Sequence, residues 1–133
     1  MTPLRIVLGW LVLLVVAVAN GALRQGGYGR LVSDRAAHQI SSVTAVVAIG
    51  AAVYLLTRAW PLASAGQAWR VGAAWVVLTL LFETGMGVAA GQPWSSILGA
   101  YAVWNGELWA LVVAFILVSP RLALAVHSAA TRA

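Results

Sequence analysis

The hydrophobic positions of the chain form four long runs, separated by shorter stretches that hold most of the polar residues. A helix rises about 1.5 Å per residue, so roughly 20 apolar residues cross the hydrocarbon core of a bilayer. Runs close to that length occur at residues 6–23, 36–57, 70–90 and 107–126. The pattern therefore predicts an all-α membrane protein, with four transmembrane helices in a single domain over residues 1–133.

The start of the fourth span is ambiguous. It runs either over residues 97–118, with Asn105 and Glu107 in mid-membrane, or over 107–126 with a bend at Pro120. The second alternative is favoured because Asn is a good N-cap and an acidic side chain stabilises the first turn of a helix. A short helix over 95–103 is then expected in the membrane interface, where Trp and Tyr are enriched.

Composition agrees with a membrane protein. Hydrophobic residues make up 62% of the chain and charged residues 8%, whereas a soluble domain carries about 25% charged residues. Cysteine is absent, which excludes disulfides and thiolate metal sites. The sequence shows no clustered His or carboxylate spacing typical of a metal centre, so we expect neither a metal nor a cofactor.

The net charge of +5 comes from single arginines at the ends of the apolar runs. Such a pattern is typical of topology signals and lipid contacts, so we expect the bilayer as a partner and no nucleic acid. The side of both termini holds five arginines and the opposite side three, which predicts a multi-pass protein with both termini in the cytoplasm. The first 23 residues also fit a signal peptide, but we interpret them as the first span.

Polar residues within the spans gather in the half of the membrane away from the termini. Glu83 is placed about 4 Å beyond the midplane in the third span, and Asn20 lies in the same half of the first span. Ionisable residues inside a membrane are candidates for function. The sequence therefore predicts a substrate- or partner-binding cluster formed by Glu83, Arg24, Asn20, Arg35, Gln39, His38, Tyr101, Glu107 and Trp109.

Glu83 has two interpretations. It either forms an ion pair or hydrogen bond that joins helices, with Arg24, Arg35 or Gln39 as partner, or it titrates during function. Burial disfavours an ionised carboxylate and a nearby cation favours it, so a balanced carboxylate can exchange a proton for a cationic substrate. Glu107 is interpreted as a helix-start residue. The Trp and Tyr residues fit an interfacial belt, or a cage for an organic cation.

Three short segments carry a resemblance to known proteins. "NGALR" from Asn20, "RAAHQI" from Arg35 and "FETGMG" from Phe82 resemble an uncharacterised family of small four-helix bacterial membrane proteins, and so does the later pattern of Trp94, Tyr101 and Trp109. The resemblance implies a bacterial inner membrane but no activity. In size and helix count the chain is also similar to the small multidrug resistance transporters. Those dimers exchange protons for cations at a glutamate in their first helix, where this chain has Asn20 and no acid.

These observations favour a non-catalytic accessory or interaction protein, working as a homodimer or within a larger membrane complex. The first alternative is a proton-coupled transporter of small cations that works as a dimer through Glu83. The second is a membrane enzyme acting on a lipid or isoprenoid, with Glu83 as an acid and Arg24 or Arg35 holding an anionic group.

Overall fold

The structure, a computed structural model, describes residues 1–99 and 108–132, and all regular secondary structure within these ranges is helical. The helices are α1 (Pro3–Gly26), α2 (Asp34–Ala59), α3 (Ala65–Ala89), the short α4 (Trp94–Gly99) and α5 (Trp109–Arg132), with a 3-10 turn at Tyr28–Arg30. α1, α2, α3 and α5 are long and apolar enough to cross a membrane. The all-helical class with four membrane-spanning helices is thus confirmed.

Short polar side chains fix where three of the long helices begin. Thr2, Ser33 and Ser64 are the N-caps of α1, α2 and α3, and each side chain accepts a hydrogen bond from a backbone N–H in the first turn. These caps satisfy donors that the start of a helix leaves without partners.

The four long helices form a ring in the order α1, α2, α5, α3, in which α1 is antiparallel to α2 and α3 is antiparallel to α5. α3 packs most extensively against α5, and α1 against α2, whereas α1 and α3 share the smallest interface in the ring. We call the end that holds both termini and residues 60–64 the terminal end, and the end that holds residues 27–33 and 90–99 the distal end. The α1–α3 seam is therefore the loosest side of the bundle.

The core is densest between α3 and α5. Trp75 and Val71 are fully buried from α3, and Val112 is almost fully buried from α5. A methyl group on Gly72 would collide with the carbonyl oxygen of Leu117, so the missing side chain lets the two backbones approach closely. Small residues serve the same purpose in membrane helix packing generally.

α5 continues beyond the end predicted from the apolar run. The helix extends to Arg132 and passes through Pro120 without ending. Proline has no N–H to donate to the carbonyl four residues earlier, which is that of Ile116. The Ser119 hydroxyl donates to this carbonyl at 3.0 Å and so replaces the missing donor. α5 begins at Trp109, within the span predicted over 107–126, and residues 100–107 of the 97–118 alternative lie outside the described residues.

Apolar side chains also cover the outside of the bundle. On α1, Leu4, Val7, Leu11, Val15 and Val18 recur at spacings of three and four residues and are 40–70% exposed. Spacings of three and four place these side chains on one helical face. A face of this kind is suited to lipid and not to water.

The glycine-rich segment 24–30 packs closely on the end of α1. Among the described residues, positive φ occurs at Gly91, after α3, where φ is 73°. Gly27 has φ −121°. A side chain there would approach the Leu23 carbonyl oxygen at 2.7 Å, and one on Gly29 would collide with the Arg24 carbonyl. These glycines are required by close packing on the end of α1.

A short helix does precede the last span, at Trp94–Gly99. The predicted helix over 95–103 extends past the described residues, and the expected cap at Asn105 and first-turn acid at Glu107 lie outside them.

Candidate functional site

A cavity of about 370 Å³ with several polar side chains in its lining lies between the distal parts of the helices. This volume lies in the range of about 300–1,000 Å³ that is typical of small-molecule sites. We call it the distal cavity. Its lining comes from all five helices: Ala17, Asn20, Gly21, Arg24, His38, Ser41, Ser42, Ala45, Glu83, Gln92, Ser96, Ile97 and Trp109.

On one wall, α1 and α2 are joined by hydrogen bonds that converge on Ser41. Asn20 Nδ2 donates to both the carbonyl and the hydroxyl oxygen of Ser41 at 2.9 Å. Thr44 Oγ1 donates to Asn20 Oδ1 at 2.6 Å, so both ends of the amide are satisfied. Arg24 Nη1 donates to the Ser41 hydroxyl at 3.2 Å. Asn20 thus joins α1 to α2 through hydrogen bonds, and Ser41 positions the Arg24 guanidinium at the cavity.

His38 contributes an imidazole from the second helix. Its Nδ1 lies 2.8 Å from the Asp34 carbonyl oxygen, which can only accept, so Nδ1 carries a proton. In the neutral ring, Nε2 then has the lone pair. The side chain is exposed although it lines the cavity. Its Nε2, which accepts hydrogen bonds in this tautomer, can therefore be reached from outside the bundle.

Glu83 and Trp109 form the opposite wall. Trp109 Nε1 donates to Glu83 Oε2 at 2.8 Å, which joins the start of α5 to α3. Both side chains are partly buried. The hydrogen bond fixes the carboxylate on the cavity wall near a large aromatic surface.

The distal rim is formed by residues that follow α3. A methyl group on Gly87 would lie 2.9 Å from Ile97 Cγ1 and 3.3 Å from Gln92 Oε1, so this glycine lets α4 and its preceding loop sit close to α3. Gln92 and Ser96 add neutral polar groups to the cavity from that segment.

The structure brings together five of the nine predicted site residues: Asn20, Arg24, His38, Glu83 and Trp109. Arg35 is exposed and Gln39 partly buried, and neither lines the distal cavity. Tyr101 and Glu107 lie outside the described residues. Within the cavity, each charged side chain makes a contact to a neutral group: Arg24 to Ser41, and Glu83 to Trp109.

Ser41, Gln92 and Ser96 are cavity residues that the predicted cluster lacks. Ser41 carries a sequence signal, because it lies three residues after His38, one helical turn further along the same polar part of α2. Gln92 and Ser96 occur in a loop and a short helix, where polar residues are common. Their sequence context gives no comparable signal.

A second polar group lies at the terminal end. Thr57 Oγ1 lies 3.0 Å from His127 Nε2, and the His127 ring stacks on Tyr54 with centroids 4.6 Å apart. His38 is at the distal end, so the two histidines lie at opposite ends of the bundle. Among the described residues, no group of three or more His, Cys, Asp or Glu side chains could hold a metal ion.

Comparison with known proteins gives no match to a family model, a curated protein or a solved structure. The chemistry of the distal cavity is therefore the basis for an assignment. One cation, one carboxylate, an imidazole and several amide and hydroxyl groups face a common volume. Such a set can bind a small group that carries both signs of charge.

Proposed function

We propose that the chain is a non-catalytic membrane protein whose distal cavity binds the headgroup of a zwitterionic phospholipid. One observation carries the proposal: Arg24 and Glu83, of opposite charge, line the same cavity of about 370 Å³. Arginine is well suited to phosphate oxygens, and a carboxylate accepts hydrogen bonds from a primary ammonium group. In this role the protein is an accessory or interaction component of the membrane.

The hydrogen-bond acceptors in the distal cavity support a headgroup with N–H donors. A primary ammonium offers three donors, whereas a quaternary ammonium offers none. Glu83, His38 in its neutral form, and the side-chain oxygens of Gln92 and Ser96 are the acceptors that the cavity provides. Phosphatidylethanolamine is therefore the expected ligand. Phosphatidylcholine and phosphatidylglycerol, whose headgroup ends in an uncharged alcohol, should bind less tightly.

Native mass spectrometry of the purified protein with each of the three lipids tests this proposal. We expect the order phosphatidylethanolamine, phosphatidylcholine, phosphatidylglycerol in affinity. Arg24→Gln should weaken binding of all three, while Arg30→Gln, which alters an exposed arginine outside the cavity, should not. Glu83→Gln should remove the preference for phosphatidylethanolamine over phosphatidylglycerol. Equal binding of the three lipids to the wild-type protein would refute the proposal.

A proton-coupled transporter of small cations is the second candidate, and the position of Glu83 favours it. Glu83 lines both the distal cavity and a second, deeper cavity, so one carboxylate faces two compartments of the bundle. Arg24 in the distal cavity opposes a simple cation, which is why lipid binding ranks first. Proton movement driven by a cation gradient in proteoliposomes, lost in Glu83→Gln, would instead support transport.

Residence in a bacterial inner membrane, with both termini in the cytoplasm, belongs to the same proposal. The larger number of arginines at the terminal end supports that orientation. Assembly as a homodimer or with a larger membrane complex is compatible with headgroup binding, since the face of α1 that carries Leu4, Val7, Leu11, Val15 and Val18 is apolar and exposed.

A further inference from the structure

A second cavity, of about 170 Å³, extends from the distal cavity toward the middle of the bundle. Its wall is mostly apolar, with Leu14, Phe82 and Ile116 among the lining residues. Ala17, Glu83 and Trp109 line both cavities. The polar and the apolar cavity are therefore adjacent, with the Glu83–Trp109 hydrogen bond at their boundary.

The apolar cavity lies under the α1–α3 seam, the smallest interface of the ring. Toward the terminal end, Trp10 closes this seam by donating to Thr79 at 3.1 Å and by an edge contact to Phe82 with centroids 5.8 Å apart. Val18 and Phe82 line the cavity and are 63% and 37% exposed on the bundle surface. The cavity thus opens sideways between α1 and α3, toward lipid.

The combined length of the two cavities along α1 matches the hydrocarbon thickness of one leaflet. Arg24 in the distal cavity and Leu14 in the apolar cavity are ten residues apart on α1, or about 15 Å. One leaflet contributes roughly 15 Å to the hydrocarbon core. Polar groups lie at the membrane surface and apolar groups toward its centre, which is the orientation of a bilayer lipid.

We propose that the apolar cavity holds a hydrocarbon chain of the same phospholipid whose headgroup occupies the distal cavity. The chain enters sideways between α1 and α3, on the distal side of the Trp10–Thr79 contact. This inference rests on the proposed headgroup binding and adds a subsite for the chain. It predicts that the headgroup and the chain both contribute to the affinity.

Val18→Trp tests the chain subsite, because a large ring at the mouth of the cavity excludes the chain sterically. Val15→Trp is the matched control: Val15 is similarly exposed, at 67%, on the same helix, but does not line either cavity. Binding is measured for phosphatidylethanolamine and for glycerophosphoethanolamine, the same headgroup without chains. We expect Val18→Trp to weaken phosphatidylethanolamine binding by about tenfold, a clear change in Kd, and to leave glycerophosphoethanolamine unchanged. Val15→Trp should change neither.

The outcomes separate the two proposals. If Val18→Trp binds phosphatidylethanolamine as the wild type does, or if the chain-free headgroup binds the wild type equally tightly, the chain subsite is wrong and headgroup binding stands. If the wild type binds neither compound, both proposals fail. Photo-crosslinking of the wild type with phosphatidylethanolamine that carries a diazirine in its chain gives an independent measurement. Labelling should fall on Leu14, Val18 and Phe82, and labelling confined to the outer face of α1 at Leu11 and Val15 would overturn the subsite.

Discussion

The contact between Thr57 and His127 depends on the position of one proton. Thr57 Oγ1 donates to the Val53 carbonyl at 2.8 Å, and a hydroxyl has one proton to give. His127 Nε2, 3.0 Å from the same oxygen, must therefore be the donor. The neutral ring is thus the tautomer protonated on Nε2, with its face stacked on Tyr54.

Thr57→Val tests this assignment. Valine keeps the shape but leaves the His127 N–H without its acceptor, so we expect a loss of about 1–2 kcal/mol in the free energy of unfolding. His127→Phe retains a ring to stack on Tyr54 and removes the donor. In that background Thr57→Val should cost clearly less. A double-mutant cycle measures the coupling, and equal costs in both backgrounds would contradict the contact.

For single residues, the sequence predicts which polar side chains are important better than it predicts the contacts that they make. Asn20 and Glu83 stand out because a polar group in an apolar helix is rare. The contact from Arg24 to Ser41 has no such signal, since it depends on the rotation of α2 relative to α1. Small differences in that rotation decide which hydroxyl faces Asn20.

At the scale of helix contacts, the missing side chain of Gly72 allows α3 and α5 to approach closely. Gly72→Ala places a methyl group against the Leu117 backbone, which no rotamer change can relieve. We expect this substitution to lower the free energy of unfolding by roughly 1–3 kcal/mol. Gly85→Ala in the same helix meets no atom within 4 Å, so it should be neutral or stabilising by up to about 1 kcal/mol. Unfolding in mixed micelles compares the two, and similar costs would argue against close α3–α5 packing.

The passage of α5 through Pro120 gives a second prediction for this scale. Ser119→Ala removes the hydroxyl that donates to the Ile116 carbonyl, and no water is available there to replace it. We expect a cost of about 1 kcal/mol, typical of a single hydrogen bond. In Pro120→Ala the backbone N–H returns, so the same serine substitution should then cost little. A cost that is unchanged by Pro120→Ala would show that the serine does not replace the missing donor.

The four long helices are predictable because their signal is local and long. Their ends are less so: a capping hydroxyl such as Ser64 starts α3 at Ala65, five residues before the apolar run at 70–90. Pro120 resembles a stop signal, but the helix continues to Arg132 because Ser119 satisfies the freed carbonyl. Helix pairing is not encoded in hydropathy at all, since lipid and core are equally apolar.

For the whole molecule, the fold requires that residues 60–64 and the C-terminus share one end and residues 27–33 occupy the other. The positive-inside rule adds the orientation: five arginines at the terminal end, against three at the distal end, predict cytoplasmic termini. The chain has no cysteine, so single cysteines report their own positions. Leu31, Ala63 and Ala130 are exposed sites suited to this purpose.

In intact bacterial cells, an impermeant maleimide should label Leu31→Cys, whereas Ala63→Cys and Ala130→Cys should react only after permeabilisation. The reverse pattern would leave the fold intact and refute the orientation, while different sides for Ala63 and Ala130 would contradict the fold, in which α2 and α5 both end at the terminal end. Three added arginines, Gln25→Arg, Leu31→Arg and Ala90→Arg, would give the distal end the larger number of positive charges. If arginine number sets the orientation, Ala63→Cys should then become reactive in intact cells. Because the proposed lipid site lies at the distal end, such an inversion would also move it from the outer to the inner leaflet.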